Sequence, residues 1–405
     1  MTTESGRVSE QRGIRAAARE FVVRVRGGDL GSLPLLLGLL VIWIVFQALN
    51  PTFLSSTNLV NLTMQSAAVG TIAIGIVLVL LLGEIDLSVG SVSGLSAAIL
   101  GVGFVQLGFP LPLVLLASLA AGALAGLVFG VLRTAFGVPS FVVTLGGLLG
   151  ILGLQLLVLG RTSSINIPFD SPLVQFGTQW FLPDWASYSL IAIAVAVFAW
   201  SQVSMSRRRM AAGLVATSMT VIAARSAGLL VVLGVAAWYL NLTRGVQVPF
   251  ALFLVLVVVM HFFLTRTRWG RSVYAVGGNV EAARRAGIRV NRVYISVFIL
   301  CSTFAAAGGI LAAARLSAAN SSSGGGDTNL NAIAAAVIGG TSLFGGRGSA
   351  FSAVLGILVI MSISSGLALL NPDSSIRYIV TGAVLLLAVV IDSLSRRSRA
   401  ASGRA

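Results

Sequence analysis

The chain has 405 residues, of which 57% are hydrophobic and 10% are charged, and its formal net charge is +15. Soluble domains carry about 25% charged residues, so this composition excludes a soluble globular protein and predicts a helical integral membrane protein. All 27 basic residues are arginine. A chain without lysine cannot form the P-loop kind of ATP site, which needs a lysine at the phosphates. Because the arginines flank apolar runs, the positive charge indicates membrane orientation and not nucleic-acid binding.

Residues 1–30 are polar and basic, and they precede the first of twelve apolar segments. Most segments approach the length of about 20 residues that a membrane-spanning helix needs. The tenth is shorter and ends in Gly-Gly, which predicts a half-helix or a re-entrant loop. We therefore predict an all-α fold, a polytopic helical transmembrane bundle of about 10–12 spans with broken or re-entrant helices. The segments lie at 33–49, 60–82, 87–107, 111–132, 141–159, 188–205, 226–240, 248–264, 293–314, 332–343, 351–370 and 376–391.

The arginines divide unequally between the two sides of this predicted bundle. Threading the spans from a cytoplasmic N-terminus places 23 of the 27 arginines on the inner side. The positive-inside rule therefore predicts a multi-pass protein with both termini in the cytoplasm. This gives a cytoplasmic basic segment at 1–30, a transmembrane domain at 31–393 and a cytoplasmic basic tail at 394–405. The arginines on the outer side are Arg161, Arg244, Arg315 and Arg377.

A short apolar stretch at 211–224 lies between the sixth and seventh of these segments. It is too short to span the membrane by itself, and Arg225 follows it. We therefore expect the stretch to lie on the cytoplasmic surface and the next span to begin at residue 226.

Two carboxylates lie between the second and third spans, in the glycine- and serine-rich stretch 83–91. Carboxylates at membrane depth are costly and usually functional, which makes Glu84 and Asp86 candidates for the lining of a translocation path. Alternatively, the stretch lies at the inner interface and Asp86 caps the helix that follows. The neighbouring small residues that allow close backbone approach are Ser88, Gly90 and Ser91.

Two further features point to a translocation path. Asn61 and Gln65 lie one helical turn apart on the second span and can hydrogen-bond a polar solute, although contacts between helices are their more common role. The stretch 338–349 contains five glycines, which break the helix and free backbone groups that need protein or water around them. Broken segments in both halves of a transporter typically mark its path. The candidates in this stretch are Gly340, Thr341 and Ser342.

A polar island at 276–288 interrupts the apolar sequence between the eighth and ninth spans. Asn279 is a good N-cap, Glu281 lies in the first turn, where the helix dipole favours an anion, and Gly287 is a natural helix stop. The island predicts a rigid helix of about two turns on the cytoplasmic side, where another protein docks; the alternative is an ordinary solvated loop. The candidate coupling residues are Gly277, Gly278, Asn279, Glu281, Ala282, Ala283, Arg284 and Gly287.

Three motifs in this order resemble a known family. They are EIDLSVGS at 84–91, GGNVEAAR at 277–284 and AIAAAVIGGTSL at 332–343. Over about residues 50–393, the chain resembles the permeases of bacterial monosaccharide ABC importers, the ribose and xylose group. Two additional spans within 188–240 make it more similar to the xylose subgroup. The departures from the family pattern are Arg285, Phe344 and Arg347.

The resemblance implies a transport subunit that is not an enzyme and holds no cofactor or metal, because a partner ATPase binds and hydrolyses ATP. It implies a permease homodimer in the bacterial cytoplasmic (inner) membrane, with a cytoplasmic coupling loop at 266–292 that the ATPase grips. A separate sugar-binding protein would deliver a monosaccharide, a pentose such as xylose. The alternative hypothesis is a twelve-span secondary transporter of a small polar solute, for which only Glu84, Asp86 and His261 could couple an ion.

Overall fold

The structure, a computed structural model, describes residues 33–325 and 327–371 and a few residues between 373 and 390. The predicted basic segment at 1–30 and the tail at 394–405 lie outside the described residues, as do Arg377 and most of the last apolar segment, 376–391.

The described part of the chain consists almost entirely of α-helices. Nine of its helical segments are long and apolar enough to cross a membrane, which confirms the predicted all-α polytopic bundle. The helices are α1 (Leu33–Leu49), α2 (Ser56–Leu81), α3 (Val89–Gly101), α4 (Leu111–Ala135), α5 (Ser140–Leu159), α6 (Pro172–Thr178), α7 (Asp184–Ala211), α8 (Met219–Asn241), α9 (Val248–Arg266), α10 (Arg268–Gly278), α11 (Val280–Arg285), α12 (Val290–Leu316), α13 (Asp327–Ile338) and α14 (Phe351–Leu370).

Two helices depart from a simple span. The third predicted span is α3 followed by a π-helix of one turn, Val102–Gln106. The tenth predicted segment is the 12-residue α13, which ends directly before Gly339. Because about 20 residues are needed to cross the hydrocarbon core, α13 is too short to cross it.

The chain divides into two compact units, and the smaller of them comprises the described residues 181–246. It is a hairpin of α7 and α8. The backbone N–H of Leu182 donates to the carbonyl of Val246 at 2.8 Å and joins the two chain ends of the hairpin. At its turn, the Ser206 hydroxyl donates to the carbonyl of Thr217 at 2.7 Å.

The start of α8 differs from the sequence-based expectation. The helix begins at Met219, and the Ser218 hydroxyl accepts the N–H of Val221 at 3.4 Å as its N-cap. Residues 219–224 are therefore the first turns of this helix and not part of a separate surface segment. Arg225 does not interrupt the helix, because its side chain lies on an exposed face.

The larger unit comprises the described residues of 32–180 and 247–397, and α2 is the most deeply buried of its helical segments that are long enough to cross a membrane. The long helix α12 packs against α2, α3 and α4. Three glycines at a spacing of four residues, Gly122, Gly126 and Gly130, form the face of α4 that contacts α12. A Cβ on Gly122 would lie 2.6 Å from the carbonyl oxygen of Ser302. Such small-residue stripes allow close helix packing where the hydrophobic effect gives no help.

A two-stranded antiparallel sheet is the part of the fold that the all-α prediction did not include. Strand β1 (Ser164–Asn166) pairs with β2 (Ala318–Asn320), and Ile165 lies opposite Ala319. The Gln155 side chain of α5 donates to the carbonyls of Asn320 and Ser323 at 3.1 and 3.0 Å. The serine- and glycine-rich connector after α12 is thus held by a strand pair and by α5.

Candidate functional site

The polar island folds into α10 and α11, which meet at Asn279. The Asn279 side-chain oxygen accepts the N–H of Ala282 at 2.9 Å and caps α11. At the other end, the N–H groups of Gly287 and Ile288 donate to the carbonyls of Arg284 and Ala283, respectively, at 3.0 and 3.1 Å. Gly287 has a φ of +81°, as the Schellman motif requires. The structure therefore contains the short capped helix that the sequence predicts, and a second helix, α10, which was not predicted, precedes it.

The two faces of α11 differ in exposure. The side chains of Glu281 and Arg284 are 65% and 61% exposed and form an ion pair of 3.1 Å. Ala283, on the opposite face, is buried. An exposed pair at this spacing contributes at most about 0.5 kcal/mol. The charged face therefore adds little to folding and is free to meet another molecule.

The helix α10 packs against Leu81, the last residue of α2, and against the loop of residues 339–350 before α14. Two loops meet here, a first loop of residues 82–88 that follows Leu81 and a second loop of residues 339–350. A Cβ on Gly277 would collide with the carbonyl oxygen of Leu81 and would lie 2.8 Å from the nitrogen of Gly346. The Tyr274 hydroxyl donates to the carbonyl of Gly348 at 2.9 Å. We call this set of contacts, made by Leu81, Tyr274, Gly277, Gly346 and Gly348, the loop junction. Through it, α10 is attached to the end of α2 and to the second loop at once.

The predicted path residues Gly340, Thr341 and Ser342 lie in the second of these loops. Gly340, two residues after the end of α13, has a φ of +99°, a conformation that favours glycine. The backbone N–H of Ser342 donates to the carbonyl of Arg347 at 3.0 Å, and this hydrogen bond closes the loop. Thr341 is buried. A Cβ on Gly348 would lie 2.8 Å from Cγ2 of Thr341. The buried Thr341 side chain therefore packs against Gly348, a residue of the loop junction.

Glu84 lies in the first loop and forms an ion pair with Arg133 at the end of α4. Both Nη2 and Nε of Arg133 approach the same oxygen, Oε1 of Glu84, at 2.8 and 2.9 Å. The guanidinium also lies 5.0 Å from the ring centre of Tyr294 in α12, within the range of a cation–π interaction. Glu84 therefore joins the first loop to α4 and, through Arg133, to α12.

Asp86 is only 1% exposed and lies two residues before Ser88, the N-cap of α3. Its Oδ1 accepts hydrogen bonds from the N–H and hydroxyl of Ser88 at 2.8 and 2.6 Å, and its Oδ2 lies 3.6 Å from Sγ of Cys301. Burial raises the pKa of the Asp86 carboxyl, and the hydrogen bonds from Ser88 oppose this shift. Asp86 is thus not the cap itself but positions the residue that is.

The start of α3 is also held by α13. The Asn329 side chain donates to the carbonyl of Leu87 and accepts the N–H of Gly90 at 3.1 Å. Gly90 and Ser91 are buried here. The structure therefore brings Asp86, Ser88, Gly90 and Ser91 together at an interior helix start.

Asn61 and Gln65 lie elsewhere. They belong to the first turns of α2, a 26-residue helix about 39 Å long whose other end reaches the loop junction. Together with Arg315 and Ser365 they line a cavity of about 370 Å³. The predicted site residues therefore form two groups at opposite ends of α2, the loop junction and this cavity.

The fold and these two groups can be compared with known proteins. A protein-family model described as "Branched-chain amino acid transport system / permease component" matches residues 58–389, most of the chain. The chain belongs to this family of permeases.

Several relatives of this permease carry names of sugar transporters. The "Xylose transport system permease protein XylH" of Escherichia coli (strain K12) is 38% identical over 346 residues, which are 85% of this chain and 87% of that protein. The protein of the same name from Haemophilus influenzae is 36% identical over 90% of this chain and 96% of its own length. The "Ribose import permease protein RbsC" of Bacillus subtilis (strain 168) is 30% identical over 90% of this chain and 94% of its own length. No solved structure matches significantly. The resemblance inferred from the three motifs is confirmed.

Several residues of these groups were not found from the sequence. Arg133 was counted only as an orientation charge, Arg315 only as an outer arginine, and Tyr294 and Asn329 not at all. Each stands alone in or beside an apolar run, so no local pattern marks its partner. The available signal was the cost of a polar side chain within a span, which usually means that it has a partner in the protein.

Proposed function

We propose that this permease is the membrane subunit of an ATP-driven importer that carries a monosaccharide, a pentose such as xylose, across the bacterial inner membrane. A separate ATPase supplies the energy, and a sugar-binding protein delivers the solute to a permease dimer. In this proposal the loop junction faces the cytoplasm, both termini are cytoplasmic, and the cavity faces outward.

The arrangement of α10 and α11 carries the proposal. The charged face of α11 is exposed, with Glu281 and Arg284 more than half accessible. The opposite side of the helix pair contacts the end of α2 through Gly277 and the loop that precedes α14 through Gly277 and Tyr274. A protein that grips α11 and moves it would therefore move the end of α2 and the start of α14 inside the bundle. Coupling by a packed element with two arrangements is the physical form that such switching takes.

The arginine distribution supports the orientation. Within the larger unit, Arg133, Arg284 and Arg285 lie at the end of the helices that carries the loop junction. Arg161 follows the end of α5, and Arg315 lies in the last turn of α12, both at the opposite end. Because basic residues concentrate on the cytoplasmic side, the junction end is the cytoplasmic one in our proposal.

The choice of solute follows the relatives. The family model names branched-chain amino acids in its description, whereas the relatives at 36–38% identity are named for xylose and one at 30% for ribose. We therefore propose a pentose, and uptake of radiolabelled xylose, ribose and leucine by the complete transporter compares the alternatives directly.

The docking role of α11 is tested with Glu281→Ala in the complex with the ATPase. We expect the variant to insert and melt as the wild type does, because its ion pair is exposed, but to lose most co-purifying ATPase and most uptake into proteoliposomes. Arg161→Ala, an exposed arginine away from α11, is the control and should retain both. If Glu281→Ala co-purifies with its ATPase and transports normally, the docking assignment is wrong.

The alternative, a secondary transporter, is tested on the permease alone. The purified chain in proteoliposomes should accumulate no sugar under a proton or sodium gradient, because our proposal places the energy source on another protein. Gradient-driven accumulation by the lone chain would favour the alternative.

A further inference from the structure

The packing of α2 against α12 determines what faces the cavity. Gly75 of α2 packs against the backbone of Cys301, and Gly308, two turns further along α12, packs against Ala68, about two turns back along α2. The helices therefore run antiparallel with a constant register. Two more turns bring Arg315 to the level of Asn61, at the rim of the cavity.

The polar groups of the cavity differ in whether they already have partners. The Ser365 hydroxyl donates to Oδ1 of Asn58 at 3.0 Å, and the Asn58 amide donates to the carbonyl of Phe53 at 2.7 Å. No hydrogen bond from another described residue reaches the side chains of Asn61 or Gln65. These two amides are oriented on one helix face and can bind a solute.

Arg315 is the charged group of this cavity, and it is half-buried at the end of α12. Within the described ranges, no carboxylate lies close enough to pair with it; the ion pairs there join Arg133 to Glu84 and Arg284 to Glu281. A guanidinium presents five N–H donors in a planar fork and loses hydration more readily than an ammonium. A half-buried arginine with no acceptor among the described residues is suited to a ligand that brings the acceptors.

We propose that this cavity is a monosaccharide-binding site within the permease itself and that Arg315 is its main hydrogen-bond donor, with Asn61 and Gln65 completing it. The inference rests on the proposed sugar-import function and adds a site to it. A cavity of about 370 Å³ is near the lower end of the size range of small-molecule sites, which suits a single sugar ring with some water.

The mixture of donors and acceptors selects the ligand class. A carboxylate or phosphate ligand could pair with Arg315 but would leave the amide oxygens of Asn61 and Gln65 without donors. Sugar hydroxyls both donate and accept, so they can satisfy the guanidinium and the two amides together. The geometry therefore favours a neutral, polyhydroxylated solute over an anion.

The site is tested by cysteine labelling of the permease–ATPase complex, without the binding protein. Ala368→Cys places a thiol at the cavity, and Leu107→Cys places one on an exposed residue elsewhere. The native Cys301 is fully buried and serves as a silent background. Xylose at about 50 mM, enough to fill a site of millimolar affinity, should slow maleimide labelling of Ala368→Cys by roughly threefold or more, and leave Leu107→Cys unchanged.

The role of Arg315 is tested in the Ala368→Cys background. Arg315→Gln should abolish the protection by xylose, and Arg161→Gln, which removes an exposed arginine after α5, should retain it. If Arg315→Gln does not fold, Asn61→Leu and Gln65→Leu, which leave the arginine in place, should each weaken the protection. Protection is also measured with two other solutes. Sucrose at equal osmolality tests a larger sugar, and glucuronate tests an anionic one.

The proposal is overturned if xylose gives no protection, if Arg315→Gln retains it, or if only glucuronate protects. Uptake by the complete transporter, assayed in parallel, separates this inference from the function on which it rests. If sugar uptake is normal in Arg315→Gln, the binding-site proposal is wrong and the importer proposal stands. A complete transporter that takes up no sugar contradicts the importer proposal itself.

Discussion

The backbone N–H of Gly346 donates a hydrogen bond of 2.9 Å to the carbonyl oxygen of Leu81, and Gly277 packs against the same carbonyl. Three segments that are far apart in the sequence thus meet at one peptide group. The first is the end of α2, the second is the loop that leads into α14, and the third is the end of α10. The contact explains physically how a force on an external helix pair can reach the interior of the bundle.

The close approach at Gly277 can be tested with adjacent substitutions. Gly277→Ala places a methyl group against the Leu81 carbonyl and should lower the free energy of unfolding by about 1–3 kcal/mol, as overpacking does. Gly278→Ala meets no atom within 4 Å and should be neutral or slightly stabilising. Both residues end the same helix, so the gain in helix propensity is similar and the comparison isolates the contact. Thermal unfolding in detergent measures the difference, and equal midpoints would contradict it.

The glycine stripe of α4 makes a second steric prediction. A methyl group in Gly126→Ala would collide with the backbone of α12, including Cα of Ile299 at 2.7 Å. We expect a lower melting temperature, with roughly 2–4 °C for each kcal/mol lost. Gly150→Ala, in α5, has open space around its Cβ and is the control. Should Gly150→Ala destabilise the protein as much as Gly126→Ala, the helix contact is not the cause.

The ion pair of Glu84 and Arg133 should stabilise the protein more than an exposed pair does. Its side chains are 13% and 29% exposed, compared with 65% and 61% for Glu281 and Arg284. A double-mutant cycle with Glu84→Gln and Arg133→Gln should give a coupling energy of about 1–2 kcal/mol. The same cycle on the α11 pair should give about 0.5 kcal/mol or less. Similar coupling energies for both pairs would show that the partial burial of the first pair has no effect.

The buried carboxyl of Asp86 predicts a pH dependence of stability. Because its pKa is raised in the folded state, the folded protein holds the proton more tightly than the unfolded chain does. The free energy of unfolding of the wild type should therefore fall as pH rises from the unfolded value near 3.8 through the raised folded pKa.

The neutral variant Asp86→Asn keeps an oxygen for the Ser88 hydrogen bonds but cannot titrate. Its melting temperature relative to the wild type should rise as the pH increases from about 3.8 through the raised folded pKa of Asp86. Asp184→Asn, which removes an exposed carboxyl, is the matched control. If the melting temperature of the wild type falls no faster with rising pH than that of Asp86→Asn, burial does not raise the pKa of Asp86.

The sequence alone predicted the features that depend on neighbours along the chain. Apolar runs of membrane length predicted the helices, since a chain in lipid must satisfy its backbone internally. Asn279 and Gly287 predicted the limits of α11, because caps act within one turn. It was less successful at the start of α8, where Arg225 suggested a boundary. A single arginine is tolerated there because its helix face is exposed.

Only the tertiary structure determined which polar residues meet. The sequence placed Glu84, Asp86, Asn61 and Gln65 in one list of path residues, but the fold separates them between the loop junction and the cavity. Arg133 reaches Glu84, and Arg315 reaches the level of Asn61, only because long helices pack antiparallel in a particular register. That register depends on where glycines let backbones approach, a property of two surfaces together that neither segment's sequence contains by itself.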